Sequence, residues 1–427
     1  MQRYESYKSS DAAWLGNVPS HWGVQPLRAV TSLKSDKNRP DLPVLSVYRE
    51  YGVILKDSRD DNHNATSLDT STYKVVKPGD LVVNKMKAWQ GSMGVSVHDG
   101  IVSPAYITCT TKADRVRPAY LHYLLRSSPL IGVYNSLSYG VRVGQWDMHY
   151  EDFKQIQIPL PPKDEQDRIV AFLDQKTDEI EAAIAKKERL IELIKEQKHT
   201  CIEKAITEGL EVPKNSEVGL SPKHWSRVKL KYCINLLPGF AFKSSSYSSN
   251  DSDIPLLRGV NVNPGKLNWE DKVSWPKASL APHLKYLLEP GDLVIGMDRP
   301  WVADGIRVAP VQACDLPCLL LQRVARLRAA NRITQEFLAL VLTSRGFLTY
   351  FEPMLTGISV PHISPEQIGN YEATLPPVEE QEAICKFVSQ LSTSCEQAIA
   401  KETQIVNGLR QLRASVIADV VLGKRKI

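Results

Sequence analysis

The feature that most constrains this chain is that it is written twice. Pro19-Ser20-His21-Trp22 returns as Pro222-Lys223-His224-Trp225, and Pro78-Gly79-Asp80-Leu81-Val82 returns as Pro290-Gly291-Asp292-Leu293-Val294. Leu160-Pro161-Pro162 with Glu165-Gln166 is matched by Leu375-Pro376-Pro377 with Glu380-Gln381. From Leu160 the two copies run on without a gap at an offset of 215, and 14 of 49 positions are identical. Three motifs in the same order weigh against a coincidence of common dipeptides. They make the chain two copies of one structural unit.

Each copy is a globular segment followed by a segment of different character. The globular segments span residues 1–160 and 222–375, with residues 209–221, which carry Pro213, Asn215 and Gly219, as the linker between copies. Short β-rich runs such as 43–48, 81–83 and 105–108 lie between Gly, Pro and Asp turns, and helices are expected over 119–125 and 336–343. The fold class expected is α+β (mixed α/β).

The following segments, 161–208 and 376–427, read as long helices. Two prolines and a first turn of acids open each one. A heptad runs through the first, with Val170, Thr177, Ile184, Ile191, Lys198 and Ala205 on one seam row. The other row holds Leu173, Ile180, Lys187, Ile194 and Cys201. The second helix repeats the pattern with Cys385, Ser392, Ile399, Val406, Arg413 and Val420, beside Val388, Cys395, Glu402, Leu409 and Val416. Gly408 interrupts it at roughly 1 kcal/mol. About 45 residues at 1.5 Å each is roughly 65 Å, longer than a domain of this size needs. Two helices each packed on its own domain is one reading. The other is an antiparallel coiled-coil pair with a pseudo-twofold axis, in which Lys187 meets Glu402. The apolar residues off the seam, Leu190, Ile202 and Ile206, then point to a further partner.

Composition narrows the class without naming a function. Of 427 residues 43% are hydrophobic and 24% charged, which is ordinary for a globular protein. No run approaches twenty apolar residues and the first five residues lack a signal-peptide pattern, so no membrane span or secretion is expected. Seven scattered cysteines fit a reducing cytoplasm. A net charge of +5 permits a polyanionic partner without demanding one.

A search for chemistry finds no catalytic residue and no cofactor or metal site. Neither a Walker loop nor Gly-x-Gly-x-x-Gly occurs. Leu160-Pro161-Pro162-Lys163 lacks the Asp or Asn before, and the aromatic after, that an amino-methyltransferase uses to grip a flipped base. Cys314 and Cys318 have no second pair to complete a zinc set. A nuclease site at Asp80 and Lys85, or Asp292 and Asp298, competes with a simpler reading. In that reading each Asp closes a turn in which Gly79 or Gly291 takes a positive φ. His21 and His224 are read as packing or capping residues.

Two similar heads on a stiff spacer suit bipartite recognition of a long polymer, and DNA fits because half-sites at fixed spacing need readers at fixed distance. Arg, Lys, Asn and Gln read base edges and hold phosphates. Three pairs of matched loops carry such groups: Tyr48 and Arg49 against Arg258, Asn261 and Asn263; Lys85, Lys87, Trp89 and Gln90 against Arg299 and Trp301; Arg142, Gln145 and Trp146 against His362. For any single residue a solvated loop remains an alternative. As a group the loops differ most between copies while the framework repeats.

At these residues the chain resembles the specificity subunits of Type I restriction–modification enzymes. Tyr7 to Trp22 looks like that family's usual start, and the Leu-Pro-Pro, Glu-Gln, Ile and Phe pattern of Leu160–Phe172 and Leu375–Phe387 is similar to the start of its spacer helices. The resemblance implies two target recognition domains, each reading half of an interrupted double-stranded DNA site, in a bacterial or archaeal cytoplasm. It implies two adenine methyltransferase subunits carrying S-adenosylmethionine on the spacer helices, to which two motor and nuclease subunits using ATP and Mg can be added. A stand-alone DNA-binding regulator, and a fused methyltransferase or nuclease, are the competing readings.

Overall fold

The structure, a computed structural model, describes residues 3–59, 69–140, 146–210, 222–250, 252–302, 305–355 and 361–427. The chain forms two compact units, Met1–Arg189 with Glu402–Ile427, and Leu190–Lys401. Each unit therefore takes part of both long helices. Residues 211–221 of the linker lie outside the described residues.

In the first unit, strands β1 (Thr31–Lys34), β2 (Leu81–Asn84), β3 (Met93–Val95) and β4 (Tyr106–Thr111) form an antiparallel sheet in the order β1-β4-β2-β3. Helices α1 (Pro118–Leu125) and α2 (Ser128–Leu137) follow, then α3 (Lys163–Glu208). In the second unit β5 (Ile234–Pro238), β6 (Leu293–Gly296), β7 (Val308–Pro310) and β8 (Val324–Ala329) repeat that order as β5-β8-β6-β7. Helices α4 (Gln335–Thr343), α5 (Arg345–Leu355) and α6 (Val378–Val421) follow. The repeat in sequence is thus a repeat in topology.

The repeated Pro-Gly-Asp-Leu-Val shows why. Side chains of a strand alternate between faces, and β2 is buried on both. Leu81 and Val83 enter the main core with Trp22 and Tyr120, while Val82 joins Leu45, Val47, Val53, Val76 and Val102. In β6, Leu293 and Ile295 enter the main core of the second unit and Val294 a smaller cluster with Leu257 and Val324. The turn before each strand needs a left-handed glycine, Gly79 at φ +91° and Gly291 at φ +87°. Asp80 accepts the Lys77 N–H at 2.9 Å and Lys34 Nζ at 2.7 Å, and Asp292 accepts the Glu289 N–H at 2.8 Å and pairs with Arg328. Both carboxylates are spent on turns and cations, which answers the nuclease alternative at Asp80 and Asp292.

The start of each long helix is tied down by its Glu-Gln pair. Gln166, fully buried, accepts the Arg117 N–H at 2.7 Å and donates to Pro161 O at 2.9 Å. Gln381 does the same with the Thr334 N–H at 2.9 Å and Pro376 O at 2.9 Å. Glu165 pairs with His21 at 2.8 Å and accepts from Tyr4, and Glu380 pairs with His224 at 2.9 Å and Trp225 Nε1 at 3.2 Å. The recurring histidines hold helix to domain, as the packing reading expects.

Burial along the helices follows the heptad. In α3 every seam residue is buried or half-buried, Ile180 and Ile184 fully, with Ile191 and Ile194 half-buried. In the first unit Ile180, Ile184, Val406 and Leu409 form one cluster, and Lys187 meets Glu402 at 2.8 Å. Arg410–Glu188 and Arg413–Glu181 fix an antiparallel direction there, and Lys198–Glu396 at 3.1 Å joins the helices in the second unit. Ile399 is half-buried. One expectation needs correction: Ile206 and Ile202 pack into the second unit's own core, so of the three off-seam residues only Leu190 stays exposed.

Candidate nucleic-acid interface

In both units part of the candidate set follows the C-terminal end of the equivalent strand, Lys85–Gln90 after β2 and Arg299 and Trp301 after β6. In the first unit β2 runs straight into a 3-10 stretch, Lys85–Gln90, whose Ala88 is buried and which Gly91 ends at φ +86°. A glycine fits there because a Cβ would press on Ile131 of α2. The stretch exposes Lys87 and leaves Lys85, Trp89 and Gln90 half-buried. A short antiparallel pair, Ser138–Tyr139 with Asp147–Met148, lies against it. Trp146 meets Trp89 edge-on at 5.2 Å, and Asp147 pairs with Lys85 at 3.1 Å. Arg142 and Gln145 lie outside the described residues.

Tyr48 ends a strand, Leu45–Tyr48, and meets Tyr51 edge-on at 6.2 Å, while Arg49 is exposed beside Glu50. Lys74 joins the same region unannounced by any motif: its Nζ donates to Tyr106 O at 2.5 Å, and Asn84 of β2 reaches the Tyr106 hydroxyl at 3.4 Å. Burial pushes the Lys74 ammonium below the usual lysine range, and the charges of Lys37 and Lys85 push it further. Tyr139, well exposed, stacks on His149 at 4.8 Å and 12°, a flat aromatic face at the same rim.

In the second unit the residues divide sharply. Asn261 is 1% exposed, and its amide donates to Asn268 O and Asp271 O while its carbonyl accepts the Arg258 N–H. Arg258 pairs with Asp271 at 2.8 Å. These two hold their loop, Asn261 buried and Arg258 half-buried. Asn263 is half-buried on a two-residue strand, and Trp301 tilts against Phe351 at 5.8 Å on the core.

Arg299 and His362 are exposed. His362 Nδ1 lies 2.6 Å from Asp298 Oδ1, and Arg323 Nη1 donates to both oxygens of Asp298 at 2.9 and 3.0 Å. Arg307 donates to Gly259 O at 2.8 Å. The backbone clamps this patch: Met297 N–H donates to Arg323 O, and Arg299 N–H to Pro361 O at 2.7 Å. Asp298, Arg307 and Arg323 were not among the predicted readers. Only Asp298 had drawn notice, as a nuclease candidate, and it is engaged by a cation and an imidazole instead.

A family profile described as the Type I restriction modification DNA specificity domain matches residues 34–192 and again 222–406, most of the chain and both repeats. The chain belongs to this family. Members of the specificity family similar to it include the MjaVIII specificity subunit of Methanocaldococcus jannaschii, 27% identical over 80% of each chain. The EcoAI specificity subunit of Escherichia coli is 35% identical over 190 residues, 43% of this chain and 32% of that one. The fold is that of the HsdS subunit from Thermoanaerobacter tengcongensis, at TM-score 0.55 and 18% identity over 96% of this chain and 98% of the other. A chain of a type I R-M system solved in work on its assembly and conformational transition superposes at TM-score 0.70, 16% identical, over 95% and 98%. Among the described residues no helix is long and apolar enough to cross a membrane.

Proposed function

We propose that this protein is the non-catalytic DNA-recognition subunit of a Type I restriction–modification complex. It reads one half of an interrupted duplex site with each unit. The observation that carries this is the doubled family match on a doubled topology, with a different set of cationic and aromatic side chains at the end of the same strand in each copy. One scaffold with two sets of readers recognises two different half-sites. Base edges are read by the Arg, His and Lys groups described above, and phosphates by exposed Lys87 and Arg299. Adenine methylation belongs to partner subunits carrying S-adenosylmethionine, two of them on the paired helices. Motor and nuclease subunits with ATP and Mg complete a restriction complex, and the whole acts in the cytoplasm.

The test is a genome-wide map of N6-methyladenine in cells with and without this gene, expressed beside its methyltransferase. A two-part interrupted motif that vanishes on deletion is expected. An unchanged map together with tight site binding by the purified chain alone would replace this reading with a stand-alone DNA-binding protein.

A further inference from the structure

We propose that Arg323 and His362 are base-reading side chains of the second unit, and that Asp298 is the positioning residue that aims both. The inference rests on the DNA reading above and names the residues that carry it.

The first observation is conformational. Arg323 holds φ +74° and its neighbour in space Arg299 holds φ +43°. The left-handed region crowds Cβ against the backbone, so a turn that needs only positive φ is normally given glycine or asparagine. Arg323 keeps a long cationic side chain there, half of it exposed at the rim, a strain that a functional role for the side chain would explain. Arg323 O is itself held by the Met297 N–H at 2.9 Å, so the position is anchored from the backbone.

The second observation is how the charges are spent. Asp298 takes one guanidinium nitrogen of Arg323 on both its oxygens and the Nδ1 of His362 on one. Arginine and aspartate together carry no net charge, so the array adds little to phosphate attraction, which scales with free positive charge. It adds orientation instead. The carboxylate engages Nδ1, so Nε2 is the ring nitrogen left for a base edge, an acceptor in the tautomer that carries its proton on Nδ1. That edge fits an exocyclic amine, adenine N6 or cytosine N4. The remaining N–H groups of Arg323 fit guanine O6 and N7. The two side chains sit at one carboxylate, with exposures of 53% for Arg323 and 39% for His362. They are placed to read neighbouring base edges.

The experiment maps N6-methyladenine for the wild-type complex, for Arg323→Gly and for Asp298→Asn. It then measures binding of each complex to duplexes carrying the wild-type motif or single-base changes in it. Arg323→Gly removes the side chain and relieves the left-handed strain, so its melting temperature should equal or exceed the wild type's. One base in one half of the motif should lose its specification, with discrimination there falling roughly tenfold or more, and the other half unchanged. Asp298→Asn should relax the same half. An unchanged motif with a lowered melting temperature would make the array a structural brace and overturn the proposal. So would an even loss of affinity on all sequences with a shallower salt dependence, the signature of a phosphate contact. If Asp298→Asn fails to fold, Arg323→Gly decides alone. A wild-type complex that yields no two-part motif would overturn the DNA reading itself, and this inference with it.

Discussion

Arg126 acts on the candidate interface without belonging to it. At the end of α1 it donates from Nη2 to the carbonyls of Arg49 and Glu50 at 2.8 and 2.7 Å, holding the loop that carries Tyr48 and Arg49. Gly52 beside it has no room for a Cβ against that guanidinium. Burial, then the charge of Arg413, pushes Arg126 down to about 10, so it stays a cation near neutrality. Its neighbour His122 takes the Val95 N–H on Nδ1, and burial, followed by Arg126, pushes the imidazole down to about 4. An unfolded histidine titrates near 6.5. As pH falls the unfolded chain is therefore protonated first, which favours unfolding. The contribution of neutral His122 is complete above about 6.5 and fades as pH drops toward 4. Stability of the first unit should decline across that window, and His122→Gln should flatten the decline in denaturant melts taken at each pH. A slope unchanged by the substitution would place the titration elsewhere. No sequence pattern announces these residues. Arg126 finds its acceptors 77 and 76 residues away, and Arg323 owes its role to a backbone angle and to a histidine brought in by the fold.

Elements were far more legible, because periodicity is local. The heptad that placed Ile180, Ile184, Val406 and Leu409 on one seam needed only spacing, and it also paired Lys187 with Glu402. Sequence could not show that Ile202 and Ile206 leave the seam to enter a domain core, since a residue is apolar for either purpose. Two glycines, one inside α6 and one just past its end, make opposite predictions. Gly408 is exposed with open space where a Cβ would sit, so Gly408→Ala should stabilise the helix by ~0.5–1 kcal/mol. Gly423 ends that helix at φ +70°, where a Cβ would drive into Pro19 and Trp22. Gly423→Ala should cost more than ~1 kcal/mol. Chemical denaturation of both variants checks the sign of each. At the seam, replacing Lys187 and Glu402 together by leucine should be neutral or stabilising, whereas Glu402→Leu alone strands a half-buried ammonium and should destabilise. A double-mutant cycle showing no coupling would mean the pair is only a surface contact.

At the scale of the molecule, the first compact unit is built from two distant stretches of chain. Val420, Val421 and Leu422 at the end of α6 lie in the first unit's core with Trp22, Leu27 and Tyr120. The Tyr120 hydroxyl donates to Val421 O at 3.2 Å and the Tyr7 hydroxyl to Gly423 O at 3.2 Å, contacts that span 301 and 416 residues of sequence. Burying three aliphatic side chains of this size is worth roughly 1.5–3 kcal/mol each, a large share of the stability of an ordinary domain. Truncation after Lys401 should therefore damage the N-terminal unit, although every residue removed is at the other end of the chain. The second unit, with Ala205 and Ile206 closing its core from α3 and Ile384 and Val388 from the retained part of α6, keeps all its buried contacts. Hydrogen exchange on the truncated chain should show protection lost around Trp22, α1 and β2 and retained around β6 and α4. Loss spread evenly over both sheets would mean that the two units unfold as one, and loss confined to the second would mean that the C-terminal helix serves its own repeat.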